Sequence, residues 1–299
     1  MSSAVVVGGA GFVGSHLVER LLADGVAVDV VDDLSTGSLA HLAEARAMGG
    51  ALKIHHLDAT APEYDSLIGM RHPDVVYHLA AVPRGTVTGA RLASAFAATV
   101  SVTEAARHHR VPKIVTAVPG SVLYGRPTSK ELPVKEVDLV PRGPRGVVAR
   151  ATVDLLEVGR DTDAIEFSVL ALGTVYGPRQ RPADGVVAAL VEAAREHTAP
   201  SIRGDGRQTR DFVYVDDVVD ALVRAGMRGG GLVVNVGTGR QTSINELWSA
   251  VAGAAGVVPD HVAAPPDELL RFALSPVRAR IHLGWSAWTD LADGLAQLR

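Results

Sequence analysis

Short apolar runs alternate with amphipathic stretches through the first part of the chain. AVVV (4–7) leads into FVGSHLVERLLADG (12–25), where apolar residues recur at helical spacing, so a buried strand followed by a helix is predicted. VAVDVVDD (26–33), ALKIHHLDA (51–59), PDVVYHLAA (73–81), KIVTAV (113–118) and IEFSVLAL (165–172) read as further strands. Helices are predicted over about 91–110 and 147–160. Strands that are apolar throughout and separated by helices belong to a parallel sheet covered on both faces, which predicts a doubly wound α/β fold.

The pattern loosens after about residue 176. GVVAALVEAAREH (185–197) and DDVVDALVRAG (216–226) read as helices, the second with Asp216 and Asp217 in its first turn, where the helix dipole favours negative charge. SIRGDGRQTRDFVYV (201–215) reads as strand–turn–strand and LVVNVG (232–237) as a short strand. A helix then follows, capped by Thr242 or Ser243 with Glu246 near a capping-box position. Two units follow: a first domain over 1–175, and over 176–299 a smaller α/β lobe interleaved with it and packed against its strand ends. In open α/β sheets ligands lie in that crevice.

Composition narrows the chemistry. The chain has 299 residues, 21% of them charged, and a net charge of −4 without blocks of like charge, so neither a nucleic acid nor a membrane surface is an expected partner. It has no cysteine, which excludes disulfides, thiol nucleophiles and thiolate metal sites. MSSAVVVGGAGF enters a strand directly, with no secretory signal, so a cytoplasmic location is expected. Lysine occurs only at 53, 113, 130 and 135, and any catalytic lysine must be one of these. The pairs His55–His56 and His108–His109 are adjacent in sequence, so their side chains are expected to diverge, and no metal site is expected.

GGAGFVG places Gly8, Gly11 and Gly14 between the first strand and its helix, with Asp32 ending the next strand. Glycines there let the backbone approach a pyrophosphate, which then rests on the helix N-terminus. An acid at the end of the second strand accepts bonds from ribose hydroxyls and repels a 2′-phosphate, which favours NAD over NADP. Asp58, ending the third strand, is expected near the adenine, and HLAA (78–81) beside the pyrophosphate.

With GGAGFVGSHLVERLL, DDLSTG, VVYHLAA, VYGPRQ, GDGRQTRDFVYVDDVVDA, NVGTG and LGW in order, the chain resembles the extended short-chain dehydrogenase/reductases. Within them it is similar to the NAD-dependent epimerase/dehydratase family of the UDP-glucose 4-epimerase type. The resemblance implies a Rossmann-type NAD-binding domain and a C-terminal lobe that grips a nucleoside diphosphate sugar. It also implies a homodimer built on the helices near 91–110 and 147–160. The cofactor set it implies is Gly8, Gly11, Phe12, Val13, Gly14, Asp32, Asp33, Leu34, Thr36, Gly37, Asp58, Ala59, Leu79, Ala80 and Ala81, with Arg150 at the nicotinamide ribose. Thr174, Arg179 and Arg210 are the implied substrate contacts. Arg271 stands in for an arginine missing after the late Pro-Pro.

The resemblance breaks at the chemistry. Such proteins oxidise a sugar hydroxyl by hydride transfer, using a tyrosine as base and a lysine four residues on that favours the phenolate. Tyr64, Tyr77, Tyr124, Tyr176 and Tyr214 are followed at that spacing by Ile68, Ala81, Thr128, Gln180 and Val218, so the pair is absent. Aligning RGVVARATVD on the tyrosine–lysine helix places Gly146 at the tyrosine and Arg150 at the lysine. Ser121 is the only hydroxyl near the position of the usual serine, and Ala95 replaces an asparagine. Proton-transfer candidates are Tyr124, Ser121 and the charged loop 126–138, notably Lys130, Glu131 or Lys135. Two functions stay open: an enzyme with a rearranged site acting on a nucleotide sugar or related polyol, or an NAD-binding partner subunit, regulator or scaffold without turnover. A third reading is a reductase or dehydrogenase whose substrate supplies its own acid or base.

Overall fold

A computed structural model describes residues 1–83, 87–137, 139–163, 165–253 and 257–298. In the first part the order is β1 (Ser3–Val7), α1 (Phe12–Ala23), β2 (Ala27–Asp32), α2 (Ala43–Ala47), β3 (Leu52–His56), α3 (Pro62–Arg71), β4 (Val75–His78), α4 (Gly89–His108) and β5 (Lys113–Pro119). Then come α5 (Gly120–Leu123), α6 (Gly143–Asp163), β6 (Glu166–Leu172), β7 (Thr174–Tyr176) and α7 (Val186–Arg195). The remainder is β8 (Ser201–Arg203), β9 (Thr209–Arg210), β10 (Phe212–Tyr214), α8 (Val215–Met227), β11 (Leu232–Val236), β12 (Thr242–Ser243), α9 (Ile244–Ala252), β13 (Asp260–Val262), α10 (Val277–Leu283) and α11 (Leu291–Ala296).

The principal sheet has seven parallel strands in the order β11-β6-β5-β4-β1-β2-β3. This is the expected Rossmann-type architecture. Strand order reverses between β1 and β4, and the crevice beyond their carboxyl ends is where such sheets hold ligands. Alternate side chains divide the core, as the two-residue period of a strand requires. Ala4 and Val6 of β1 pack with Leu17 of α1 and Val218 of α8 on one face, whereas Val5 and Val7 pack with Ile68 of α3, Val102 of α4 and Val153 of α6 on the other.

Several boundaries differ from the sequence expectation. The strand expected over 232–237 forms β11 at the edge of the principal sheet, and α8 packs beneath that sheet against α1, so residues beyond 176 complete the first layer. The stretch 201–215 is not a hairpin: β8 pairs with β13, β9 with β12 and β10 with β7. The buried stripe of α3 (Tyr64, Leu67, Ile68) lies among enough polar residues that apolar periodicity did not expose this helix. Of the two expected caps, Ser243 is used, and it forms a reciprocal box with Glu246. His108 and His109 do not diverge: their rings stack at 4.3 Å, and Asp65 on α3 reaches both at 3.2 and 3.1 Å. No helix among the described residues is long and apolar enough to cross a membrane.

His78 ends β4 and is buried, with Nε2 donating to Thr99 Oγ1 at 3.0 Å while that hydroxyl donates to Ala95 O. Its Nδ1 is buried with no partner. Protonating Nδ1 would create an unpaired buried N–H, and burial holds this imidazole down at about 4, against 6.5 when exposed. The unfolded chain therefore binds a proton at this residue before the folded one does, so stability is full above 6.5 and falls as pH drops toward 4. The expected loss is roughly 3 kcal/mol across that window. Urea melts of the protein and His78→Phe between pH 7 and 4 will check this, and parallel pH profiles would refute it.

Candidate functional site

Two clefts lie toward the carboxyl edge of the principal sheet. The first, of about 300 Å³, is lined from several successive strand ends by Gly8, Gly11, Phe12, Val13 and Gly14, by Asp32, Asp33 and Thr36, by Asp58 and Ala59, and by Leu79 and Ala80. Backbone builds its floor. Gly8 has φ +80°, and a Cβ on Gly14 would lie 2.1 Å from Gly8 O, so the turn closes only with glycine at both positions. Gly11 caps α1 without a side chain, and the first intrahelical bond runs from Ser15 N to Gly11 O, which leaves the N-terminal turn facing the cleft.

Asp32 is buried against this loop. Its carboxylate accepts Ala10 N at 2.9 Å and Leu34 N at 2.8 Å, and Gly37 leaves room for it, since a Cβ there would lie 2.8 Å from Oδ1. Burial pushes its carboxyl up, while the two backbone donors oppose that shift. A carboxylate offers about four acceptor positions, so two remain for ribose hydroxyls. Asp58 Oδ1 accepts Thr60 N and Oγ1, both at 2.8 Å. A glycine-built anion cradle ending in a buried acid fits a dinucleotide without a 2′-phosphate.

The second cleft is lined by Ser121 and Val122 after β5, by Arg142 to Arg145 at the start of α6, and by Arg203, Arg210, Pro265 and Asp267 to Leu269. Arg210 is held by Glu268 at 2.7 Å and by the carbonyls of Thr209 and Leu269. Burial pulls its guanidinium down, and Glu268 offsets part of that. Arg142 reaches Asp267 at 3.3 Å.

The remaining expected residues lie elsewhere. Leu34 and Gly37 shape the loop around Asp32, and Ala81 is buried in the core, so none of the three lines the first cleft. Arg150, expected at the cofactor ribose, lines neither cleft: its Nε donates to Asp154 at 2.7 Å and its NH1 to Leu139 O. Arg179, expected as a substrate contact, clamps α1 and α2 together through Ser15, Glu19 and Glu44 and lines neither cleft. Thr174 is a β7 residue whose N donates to Asp211 O, and Arg271 is exposed and lines neither cleft.

The proton-transfer candidates are equally displaced. Tyr124 is buried, its hydroxyl donates to Asn235 Oδ1 at 2.7 Å, and burial pushes the phenol well above its ordinary range. All five tyrosines are buried, and none lines either cleft. Lys130, Glu131 and Lys135 are exposed, and Glu131 accepts from Thr128; Asp138 of that loop lies outside the described residues. Lys113 is anchored to the carbonyls of Arg228 and Gly229, and burial pulls its ammonium down. Among the described candidates, only Ser121 faces a cleft. Residues not anticipated from sequence include Arg91 and Ser94 of α4 and Arg181 in the first cleft, and Arg142 and Arg145 in the second. A helical wheel of α6 anchored on buried Ala149 and Val153 is the signal that would have found Arg145.

Fold and first cleft together define a dinucleotide-binding α/β protein. The family model for the NAD dependent epimerase/dehydratase family matches residues 4–237, and the chain belongs to that family. It is 40% identical to a UDP-glucose 4-epimerase of Mycolicibacterium smegmatis, over 98% of this chain and 96% of that one. Among solved structures it is similar to the UDP-glucose 4-epimerase of Thermotoga maritima with UDP-glucose (TM-score 0.93, 30% identity, 99% and 97% of the two chains). It is also similar to the UDP-glucose 4-epimerase of Thermus thermophilus in complex with NAD (TM-score 0.88, 30% identity, the same coverage).

Because a Cβ at position 14 meets backbone rather than a flexible side chain, Gly14→Ala must open the β1–α1 turn. It is expected to cost about 1–3 kcal/mol and to weaken dinucleotide binding more than that strain alone predicts, because the cradle itself shifts. Urea denaturation and NAD titration of the variant will measure both effects. Unchanged NAD binding would show that the turn does not form the cradle.

Proposed function

We propose that this chain holds NAD in the first cleft and a nucleoside diphosphate sugar in the second, and acts by hydride transfer at a site without the usual base. The observation that carries this is a backbone-built dinucleotide cradle at the ends of β1 to β4 together with a second, arginine-lined cleft that begins at Ser121 and Val122 after β5 of the same sheet. NAD, when bound, supplies the hydride acceptor. This chain's residues bind its pyrophosphate at the α1 N-terminus and its ribose at Asp32, while Ser121 meets a substrate hydroxyl. Among the described residues lining the second cleft, the proton acceptors are Ser121, Asp267 and Glu268, and both carboxylates are already paired with arginines. Loss of a general base lowers rate by about 10²–10⁴-fold.

A second reading is binding without turnover, as a partner subunit or regulator. The absence of tyrosine, lysine and histidine from the described lining of that second cleft favours it. Denaturing the purified protein and measuring released NAD(H), then adding UDP- and TDP-sugars and following absorbance at 340 nm, separates the two. Bound NAD with slow sugar-dependent reduction is the expected result. Bound NAD with no reduction by any sugar would establish the second reading, and failure to retain or take up NAD would overturn both.

A homodimer belongs to the same proposal. α4 and α6 pack side by side and expose Val100, Val147 and Val158, an apolar face suited to a second copy. Val158→Arg is expected to shift the protein to monomer in sedimentation measurements, and an unchanged sedimentation coefficient would refute this face as the contact.

A further inference from the structure

The register of α6 carries an inference about what has replaced the missing base. Gly146, Ala149, Val153 and Leu156 form the buried stripe of the helix. A Cβ at Gly146 would lie 2.5 Å from Val122 O and 3.0 Å from Pro141 C, so no larger residue stands there without moving backbone. Gly146 is therefore a packing position. Arg145 and Arg150 project from opposite shoulders of the stripe, since successive residues turn by about 100°. Arg150 turns to Asp154, whereas Arg145 enters the second cleft beside Ser121. The residue facing the site is thus one position earlier than the sequence alignment placed it, and four residues on stands buried Ala149 rather than a cation.

The charge pattern in that cleft is uneven. Its lining holds Arg142, Arg145, Arg203 and Arg210 against Asp267 and Glu268. Glu268 is taken by Arg210 at 2.7 Å and Asp267 by Arg142 at 3.3 Å. Arg145 has no ion pair among the described residues, and its Nε is buried with no hydrogen-bond partner. Burial pulls its guanidinium down. A buried charged donor without an acceptor is costly, and an anionic ligand would relieve that cost. Arg145 also lies in the first turn of a long helix, whose dipole adds positive potential. A guanidinium does not exchange protons near pH 7, so its role is recognition and not base catalysis.

We propose that Arg145 is the oxyanion-recognising residue of the second cleft, binding an anionic group of the ligand next to Ser121. The oxyanion is either a carboxylate on the sugar or the diphosphate of the nucleotide, and both suit the fork of a guanidinium. This rests on the nucleotide-sugar reading above but is separable from it by experiment.

Calorimetric titration of the NAD-loaded protein, Arg145→Gln and Arg145→Lys with UDP-glucuronate, UDP-glucose, UDP and inorganic pyrophosphate is the test. Arg145→Gln is expected to weaken at least one of these by about tenfold or more, with partial rescue by lysine, while NAD content stays unchanged. A loss confined to UDP-glucuronate assigns the sugar carboxylate, and an equal loss across all four ligands assigns the diphosphate. Equal affinities in all three proteins would overturn the inference and leave the nucleotide-sugar reading intact. Arg145-dependent binding of pyrophosphate without binding of any nucleotide would overturn that reading and keep the inference. If Arg145→Gln fails to retain NAD, Arg145→Lys serves alone: unchanged affinity for UDP-glucuronate, pyrophosphate and UDP would count against the fork. Wild-type protein that binds none of the four would overturn both.

Discussion

The ligand-facing side of this molecule depends on one buried carboxylate. Asp211, fully buried between β9 and β10, accepts from Thr238 N at 2.8 Å, Thr238 Oγ1 at 2.6 Å, Gly239 N at 3.0 Å and Leu274 N at 3.0 Å. It thereby ties three segments distant in sequence: the strand pair around Arg210, the turn after β11, and the segment before α10. Burial pushes its carboxyl up and the four donors pull it back, a balance that holds only while every donor stays in place. Glycine at 237 is part of the same fit, because a Cβ there would lie 2.5 Å from Asp211 Oδ2. A second node does the same from the other side. Asn235 accepts from Tyr124, donates through its amide to Val134 O, and offers its backbone N–H to Glu136. Tyr124 and Arg210 are thus consumed in holding the clefts in shape.

The two clefts differ in what they are made of. The first is set by backbone: glycine conformations, a helix terminus, and an acid hydrogen-bonded to its own loop. Those features are needed for β1, α1 and β2 to pack at all, so a change there disturbs the fold. The second depends on the identity of side chains at a few helix and loop positions, such as Ser121 and Arg145. Substitutions at such positions leave the core untouched, because neither residue belongs to a buried apolar cluster.

Legibility in sequence follows the same division. The principal sheet could be read because its strands are apolar throughout, and α1, α4 and α6 from the stretches between them, whereas α3 could not; the GGAGFVG turn could be read because it lies between a strand and a helix with Asp32 at a fixed distance. Asp32 could be read because its distance from that turn is set by a fixed helix and strand length. Arg150 and Arg179 could not be assigned, since an arginine's partners are fixed by long-range packing: Glu19 and Glu44 capture Arg179, and Asp154, one helical turn along, captures Arg150. The error of one residue on α6 has a physical origin as well. Matching charges along the helix favoured the Arg150–Asp154 register, while the deciding constraint, the contact of Gly146 with Val122 O, joins segments that sequence spacing does not relate.

On the proposed reading, a cation where a base is expected changes which half of the reaction the protein would assist. Two unit charges 4 Å apart interact by about 4 kcal/mol at an effective dielectric near 20, so a guanidinium beside a hydroxyl favours loss of its proton without receiving it. The receiving group must then come from elsewhere. Asp267 and Glu268 each give up accepting capacity to an arginine, and Asp267 is 76% exposed, which puts it in exchange with solvent. If the cleft takes a sugar as proposed, the hydroxyl proton would pass to water or to that exposed carboxylate. The same cation binds an anionic ligand most tightly when nothing else shares it, and Arg145 shares its charge with no acid among the described residues. On the proposed reading, anion binding and the lack of a proton acceptor at this position have one cause, a guanidinium where a titratable group is expected.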